Sequence, residues 1–163
     1  MVSEIQSNQI ASFLEQQYKV YEDILRLSKK KTDIIVEGKV AELENIVKLE
    51  QALVLQISRI DNQRDQLLTE MFPDKKDITI SEIKELTDNK SAKILEEWQN
   101  KLTDVVDRLK HANQLNAKLI KNSLEYIEFS LNLMSNTDVT SNNYGNQGGT
   151  SEKTHRNFFD MKL

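Results

Sequence analysis

Apolar residues recur at steps of three and four along most of this chain, which is the spacing of amphipathic α-helices. In a first segment, from about Ser3 to Val36, the repeating apolar positions are Ile10, Leu14, Tyr18, Tyr21, Ile24, Leu25 and Ile35. Ser3 suits a helix N-cap, and Gly38 tolerates the positive φ of a turn. A second segment, from about Val40 to Met71, repeats similarly. The short connection at Glu37 to Lys39 therefore predicts two antiparallel helices.

The second helix is predicted to carry polar residues on or near its apolar face. Its apolar positions include Leu43, Ile46, Val47, Leu53, Val54, Ile57, Ile60, Leu67, Leu68 and Met71. Glu50, Asp61 and Arg64 fall beside them. Polar residues in such a position weaken the packing of two helices but can fix the register in which they pair.

The chain's single proline, Pro73, lies in a segment from Phe72 to Thr79 that is predicted to form a loop. Thr79 and Glu82 have the spacing of a capping box, which predicts a short helix from Ile80 to Thr87. Because the chain has only four glycines and one proline, residues that interrupt helices and strands, it is predicted to form few elements, most of them long.

A second break, at Asp88 to Ser91, precedes a last helix predicted from about Ala92 to Met134. This helix would be roughly 65 Å long. It needs tertiary contacts for stability, so it is expected to pack along the first two helices. From Ser135 the composition changes to Asn, Ser, Thr and Gly, which predicts a disordered tail that nevertheless ends in Phe158, Phe159, Met161 and Leu163.

These elements predict an all-α fold, in which three long amphipathic helices form an antiparallel bundle and the C-terminal helix is the longest. A short connecting helix and a disordered C-terminal tail complete it. The expected domains are a helical bundle or coiled coil over residues 1–135 and a flexible polar tail with a short apolar terminus over residues 136–163.

Composition removes several functional classes. The net charge of −4 argues against a nucleic-acid binder, which needs a concentrated basic surface. The chain has no cysteine, so disulfides, thiolate nucleophiles and zinc–sulfur sites are excluded; this fits a reducing cytoplasm. The sequence has no apolar stretch of 18 residues, so no membrane span is expected.

The sequence also lacks the patterns of an enzyme. Neither His111 nor His155 has a second metal ligand at helical spacing, so no metal site is expected. Gly145 to Gly149 follows a helix rather than a strand, which is the wrong context for a phosphate-binding loop, and we expect no cofactor. No catalytic triad can be assembled, so catalysis is the weakest functional hypothesis.

Two apolar stripes distinguish the last helix. The first runs its whole length and should face the other helices: Leu95, Trp98, Leu102, Val106, Leu109, Ile120, Leu124, Ile127, Leu131 and Met134. The second begins only at Leu115 and lies roughly 140° around the helix: Leu115, Leu119, Tyr126, Phe129 and Leu133. One neighbouring hairpin is not expected to cover both stripes, so the second predicts a binding surface for a partner helix.

Three alternatives, taken together, account for the second stripe as well as a partner helix does. In the first, the terminal segment with Phe158 and Phe159 folds back on the stripe. In the second, two copies of the chain pair through it. In the third, the first two helices spread apart and bury it.

Several local sequences resemble those of the FlgN-type flagellar export chaperones. One stretch is Val36-Glu37-Gly38-Lys39 followed by Leu43, Glu50, Leu53, Ile57, Asp61, Arg64, Leu67 and Leu68. Another is Asn113-Gln114-Leu115-Asn116 through Ser123-Leu124-Glu125-Tyr126-Ile127, then a polar break, Tyr144-Gly145 and Gly148. The order of these parts over residues 10 to 149 is more specific than any one of them.

The resemblance implies a cytosolic type III export chaperone that holds the C-terminal helices of hook-associated proteins, the proteins of the hook–filament junction, and delivers them to the export apparatus. It implies a client-binding groove at Leu115, Leu119, Tyr126, Phe129 and Leu133. It also implies docking of Tyr144 to the membrane export gate. The alternatives are a self-associating structural coiled coil and a chaperone or regulatory adaptor with another client.

Overall fold

The computed structural model describes residues 1–141, with the side chains of residues 1–136. This part of the chain contains four α-helices and no strand, so the predicted all-α fold is confirmed. The helices are α1 (Glu4–Glu37), α2 (Val40–Met71), α3 (Ile80–Glu85) and α4 (Asn89–Ser141). None of these helices is long and apolar enough to cross a membrane. The chain divides into two compact units, Met1–Ser123 and a second that begins at Leu124.

The hairpin of α1 and α2 forms at the predicted residues. Ser3 caps α1, since its hydroxyl accepts the Gln6 amide hydrogen while the Gln6 side chain accepts the Ser3 amide hydrogen. At the other end, Gly38 adopts φ 69° and its amide bonds to the carbonyls of the last turn of α1. This left-handed conformation reverses the chain, and α2 begins two residues later.

The larger apolar core lies where the N-terminal halves of α1 and α4 meet the end of α2 and the short α3. Its buried members are Val2, Ile10, Ala11, Leu14, Ile83 and Leu95. The Val2 amide donates to the Leu86 carbonyl at 2.8 Å, which ties the N-terminus to the end of α3. Trp98 of α4 stacks obliquely against Tyr18 of α1, with 5.8 Å between ring centroids.

A smaller apolar cluster continues along the bundle, and polar pairs accompany it. Val20 and Ile24 of α1 pack with Ile57 and Ile60 of α2 and with Leu109 of α4. The polar residues predicted beside the apolar face of α2 all find partners across the bundle or along the helix. Glu50 pairs with Lys31 at 2.8 Å. Asp61 accepts from the buried Gln17, and Arg64 lies 3.6 Å from Asp61.

A buried polar layer joins α4 to the last third of α1. The Asn116 amide nitrogen donates to the Ser28 carbonyl at 2.8 Å, and the Thr32 hydroxyl donates to the Asn116 carbonyl oxygen. The Ser28 hydroxyl donates to the Asn113 side chain at 2.7 Å. Later residues of α1 thus meet later residues of α4, so the two helices run parallel.

This register explains one difference from the sequence prediction. Thr32 pairs with Asn116, so at equal rise per residue the end of α1 at Glu37 is level with about residue 121 of α4. The first apolar stripe was predicted to face the other helices throughout. That was wrong for its last members, which are exposed: Ile120, Leu124, Ile127, Leu131 and Met134.

The burial of α4 also shifts by one residue in its middle. Val106 was predicted to face the core but is 41% exposed, whereas Val105 is fully buried. Helix boundaries differ more modestly. The short helix α3 ends at Glu85 rather than Thr87, and α4 starts at Asn89 because the Asp88 carboxylate accepts the amide hydrogens of the first turn. These hydrogen bonds, chiefly with Ser91, lower the pKa of Asp88.

We expect Asn116→Ala to lower the free energy of unfolding by about 1–3 kcal/mol, because the Thr32 hydroxyl and the Ser28 carbonyl lose their buried partner. The matched control is Asn122→Ala, which removes an exposed asparagine outside this layer from the same helix and should change stability by less than about 1 kcal/mol. Urea denaturation followed by circular dichroism measures both. Equal effects of the two substitutions would contradict the structural role of the buried layer.

A candidate protein-binding face on the last helix

The five residues predicted to bind a partner fall in both compact units. Leu115 and Leu119 belong to the first unit, on either side of the buried Asn116. Leu115 is exposed, whereas Leu119 is half-buried. Leu119 therefore contributes less accessible surface than its place in the second stripe suggested.

The other three predicted residues share one side of α4 in the second unit. Tyr126, Phe129 and Leu133 follow one another at steps of three and four, which places them on one helix face. All three are exposed: the side chains of Tyr126 and Phe129 are 71% and 59% accessible. We call these three residues the distal face.

The distal face is part of a wider apolar surface. Leu124, Ile127 and Leu131 are exposed on a neighbouring side of the same helical segment, and Ser130 lies between the two sides. Together they occupy roughly 220° of the helix circumference. The remaining strip is polar and acidic: Glu125, Glu128 and Asn132. An apolar surface this broad on one helix is typical of a protein-binding site.

The pattern of the sequence identified half of this surface and assigned the other half to the core. The helix lengths carried a signal that points the other way. The predicted last helix was several residues longer than either helix of the hairpin, so the hairpin was too short to pack along all of it. Counting helical rise along with periodicity indicates that the far end of this helix is uncovered, but the residue at which cover ends depends on the register of α1 and α4.

A second group of exposed apolar residues lies on α2. Val40, Val47 and Val54 recur at steps of seven and so share one side of the helix. Polar residues at Glu44 and Gln51 separate them on that side, so no continuous apolar face forms. The segment after Ser123 is thus the broader candidate.

The structure also bears on the metal ligands and histidines considered in the sequence. In residues 1–136, no three His, Cys, Asp or Glu side chains are placed to hold a metal ion. His111 is exposed, and its Nδ1 lies 2.8 Å from the Asp107 carbonyl oxygen one turn earlier. His155 and Tyr144 lie outside the described residues.

One cleft between α2 and α4 does contain titratable groups. The residues that line it include Gln17, Tyr21, Asp61, Arg64, Leu102 and Val106. Burial, and to a lesser degree the Asp61 charge, raises the pKa of Tyr21. Because Gln17, Asp61 and Arg64 contact one another, these polar groups serve to connect α1 with α2.

Comparison with known proteins identifies the family. A family model described as "FlgN protein" matches residues 1–152, which is nearly the whole chain. The chain is also similar to an uncharacterized protein of Bacillus subtilis (strain 168), YvyG. The two are 29% identical over 115 residues, which cover 71% of this chain and 72% of YvyG. No solved structure matches the chain.

A pair of matched substitutions tests whether the surface after Ser123 is independent of the core. We expect Leu95→Ala to lower the free energy of unfolding by about 2–5 kcal/mol, because Leu95 is fully buried. Leu124→Ala should change it by less than about 0.5 kcal/mol, because Leu124 is 62% exposed.

Both substitutions replace leucine with alanine in the same helix, so differences in helix propensity cancel. Thermal and urea unfolding of the two variants measure the effects. A large loss of stability in Leu124→Ala would show that this residue is buried in solution and would remove it from the candidate surface.

Proposed function

This chain belongs to the FlgN family, whose members are flagellar export chaperones rather than enzymes, and we propose that in the cytoplasm it holds the C-terminal amphipathic helices of hook-associated proteins. In this proposal the clients are proteins of the hook–filament junction. The chain keeps them from assembling early and delivers them to the flagellar export apparatus.

The observation that carries the proposal is the exposed distal face, Tyr126, Phe129 and Leu133, at the end of the longest helix. A client helix with apolar residues at i, i+4 and i+7 presents a matching apolar side to such a face. Aromatic side chains are common among the residues that dominate binding energy, and Tyr126 and Phe129 supply two. The resemblance to FlgN-type chaperones also implies client binding on this part of the helix, which supports the proposal.

The proposed site extends to Leu115 and Leu119. Leu115 is exposed and Leu119 is half-buried, so both have some surface left to contribute. Neither of them takes part in the buried polar layer formed by Asn116. A client can therefore contact Leu115 without disturbing the hydrogen bonds between α1 and α4.

The proposed mechanism is physical. An amphipathic client helix left free would associate with other copies through its apolar side, and covering that side removes the possibility. Burial of apolar surface supplies the binding energy at roughly 25 cal/mol for each Å² removed from water. Capture needs neither a nucleotide nor a metal, since no bond is made or broken.

The sharpest test compares two substitutions three residues apart on the same exposed helix. We expect Phe129→Asp to weaken binding of a purified hook-associated protein by about 30-fold or more, corresponding to ~2 kcal/mol for a central aromatic residue. Asn132→Asp adds the same charge on the polar strip and should leave affinity within about threefold. Isothermal titration calorimetry measures both, with circular dichroism to verify unchanged helicity.

Two results would count against this assignment. Normal binding by both Phe129→Asp and Leu119→Asp would place the client elsewhere. A wild-type chain that captures no hook-associated protein from a flagellated host, yet increases in mass with concentration, would favour the self-associating coiled coil. Recovery of a filament-cap protein or a transcription factor would favour a related adaptor with another client.

Delivery is proposed to use Tyr144, which lies outside the described residues. The family resemblance implies a role in docking on the export gate for the tyrosine of the Tyr144-Gly145 sequence, which supports this proposal. We expect Tyr144→Ala to retain client affinity while lowering gate binding by about tenfold, as for loss of one contact worth ~1.4 kcal/mol. Pull-down with the purified gate component measures the second effect. Unchanged gate binding would assign the docking role to another residue.

A further inference from the structure

We propose that the segment Phe158–Leu163 of this same chain binds the distal face around Tyr126 and Phe129 and competes there with clients. The competition rests on the proposed chaperone function, whereas the contact itself does not. Three features carry the inference: the apolar residues of the segment, its distance along the chain, and its charge.

The apolar residues outside the described helices are concentrated in one place. Between residues 142 and 157 the only large apolar side chain is that of Tyr144. The next six residues contain four, namely Phe158, Phe159, Met161 and Leu163. Moving four large apolar side chains out of water lowers the free energy, which favours binding of this segment to an apolar surface. The nearest broad apolar surface along the chain is the one after Ser123.

The chain is long enough for the contact. Sixteen residues separate Ser141, the end of α4, from Phe158. Along the helix, Ser141 lies about 22 Å from Tyr126 and about 18 Å from Phe129, at 1.5 Å per residue. Sixteen residues extend to at most roughly 55 Å. The segment can therefore reach the distal face from the C-terminal end of the same helix, in either direction.

The charges are complementary. Between Leu124 and Asn136 the helix carries two acidic residues, Glu125 and Glu128, and no basic residue. The stretch from Glu152 to Leu163 carries three basic side chains, those of Lys153, Arg156 and Lys162, against two acidic ones. A bound Phe158 would bring Lys153 and Arg156 near the acidic strip that borders the apolar surface. This arrangement favours the tail segment over an uncharged apolar peptide.

A second copy of the helix is a poorer occupant by the same reasoning. Pairing two copies through the distal face places the Glu125 side chain of each copy at the edge of the contact, about 40° around the helix from Phe129, without any basic partner in the segment. The tail segment also has an advantage of proximity. A covalently linked segment binds at an effective concentration of about a millimolar for a short linker. Free copies reach that concentration only in very concentrated solution.

The contact would regulate client binding. Where the tail occupies the distal face, it must dissociate before a client binds. The apparent dissociation constant for the client therefore equals the intrinsic one divided by the fraction of molecules whose distal face is free. Removing residues 152–163 should therefore tighten client binding by about twofold to tenfold. Clients whose helices bind the distal face more tightly than the tail does would displace it, whereas amphipathic segments that bind more weakly would not.

The experiment uses engineered disulfides in the full-length chain, which contains no natural cysteine. One variant combines Asp160→Cys with Ser130→Cys, which lies within the apolar surface. Its matched control combines Asp160→Cys with Ser135→Cys, an exposed serine roughly 150° around the helix from the centre of the distal face. Neither pair removes an apolar residue. Rates of disulfide formation are corrected for the reactivity of each single-cysteine variant toward a small thiol reagent.

We expect the Ser130→Cys pair to close within one molecule at least about fivefold faster than the control, since bound segments have a high effective concentration at the site. Adding Phe158→Ser and Phe159→Ser should abolish the difference. Equal rates for the two pairs would overturn the proposal, and so would products that are mainly disulfide-linked dimers. Because no client is present, the outcome is independent of whether the chain binds hook-associated proteins.

Discussion

The hydrogen bonds between Asn116 and the turn from Ser28 to Thr32 fix where α4 lies along α1. Buried amide and hydroxyl groups tolerate little displacement, because a shift of one turn would leave them without partners. With this register set, α1 ends at Glu37 while α4 continues to Ser141. The apolar residues of α4 after Ser123 are exposed, among them Leu124, Ile127 and Phe129.

The interior of the bundle changes in character along its axis. Near α3 it consists of apolar side chains, including Ile10, Ile83 and Leu95. Toward the hairpin turn it relies increasingly on polar pairs, such as Lys31 with Glu50. Apolar packing supplies most of the free energy of folding, whereas polar pairs specify register. The end of the bundle near Gly38 is thus better suited to defining geometry than to supplying stability.

This division fits the proposed function. A chaperone for amphipathic helices must leave an apolar surface exposed in the free state, and such a surface invites self-association. The Glu125 side chain, which borders the distal face beside Phe129, discourages pairing of two copies. A tethered apolar segment would cover the surface reversibly, at an affinity that a client can exceed. Both features would limit self-association while leaving Phe129 accessible to a client.

The sequence by itself determined the number of helices and most of their ends, because those limits depend on local interactions. The exception is α4, which continues to Ser141, past the end predicted near Met134. Ser3, Gly38 and the Thr79–Glu82 capping box lie at the ends that the spacing predicted, and the apolar repeats give the correct number of helices. The sequence also identified Tyr126 and Phe129 as members of an apolar face. Only the tertiary structure decided which apolar residues are covered. Burial of Val105 rather than Val106, and exposure of Leu124, depend on how far one helix extends beside another. Periodicity describes sides of a helix and contains no information about the length of its neighbours.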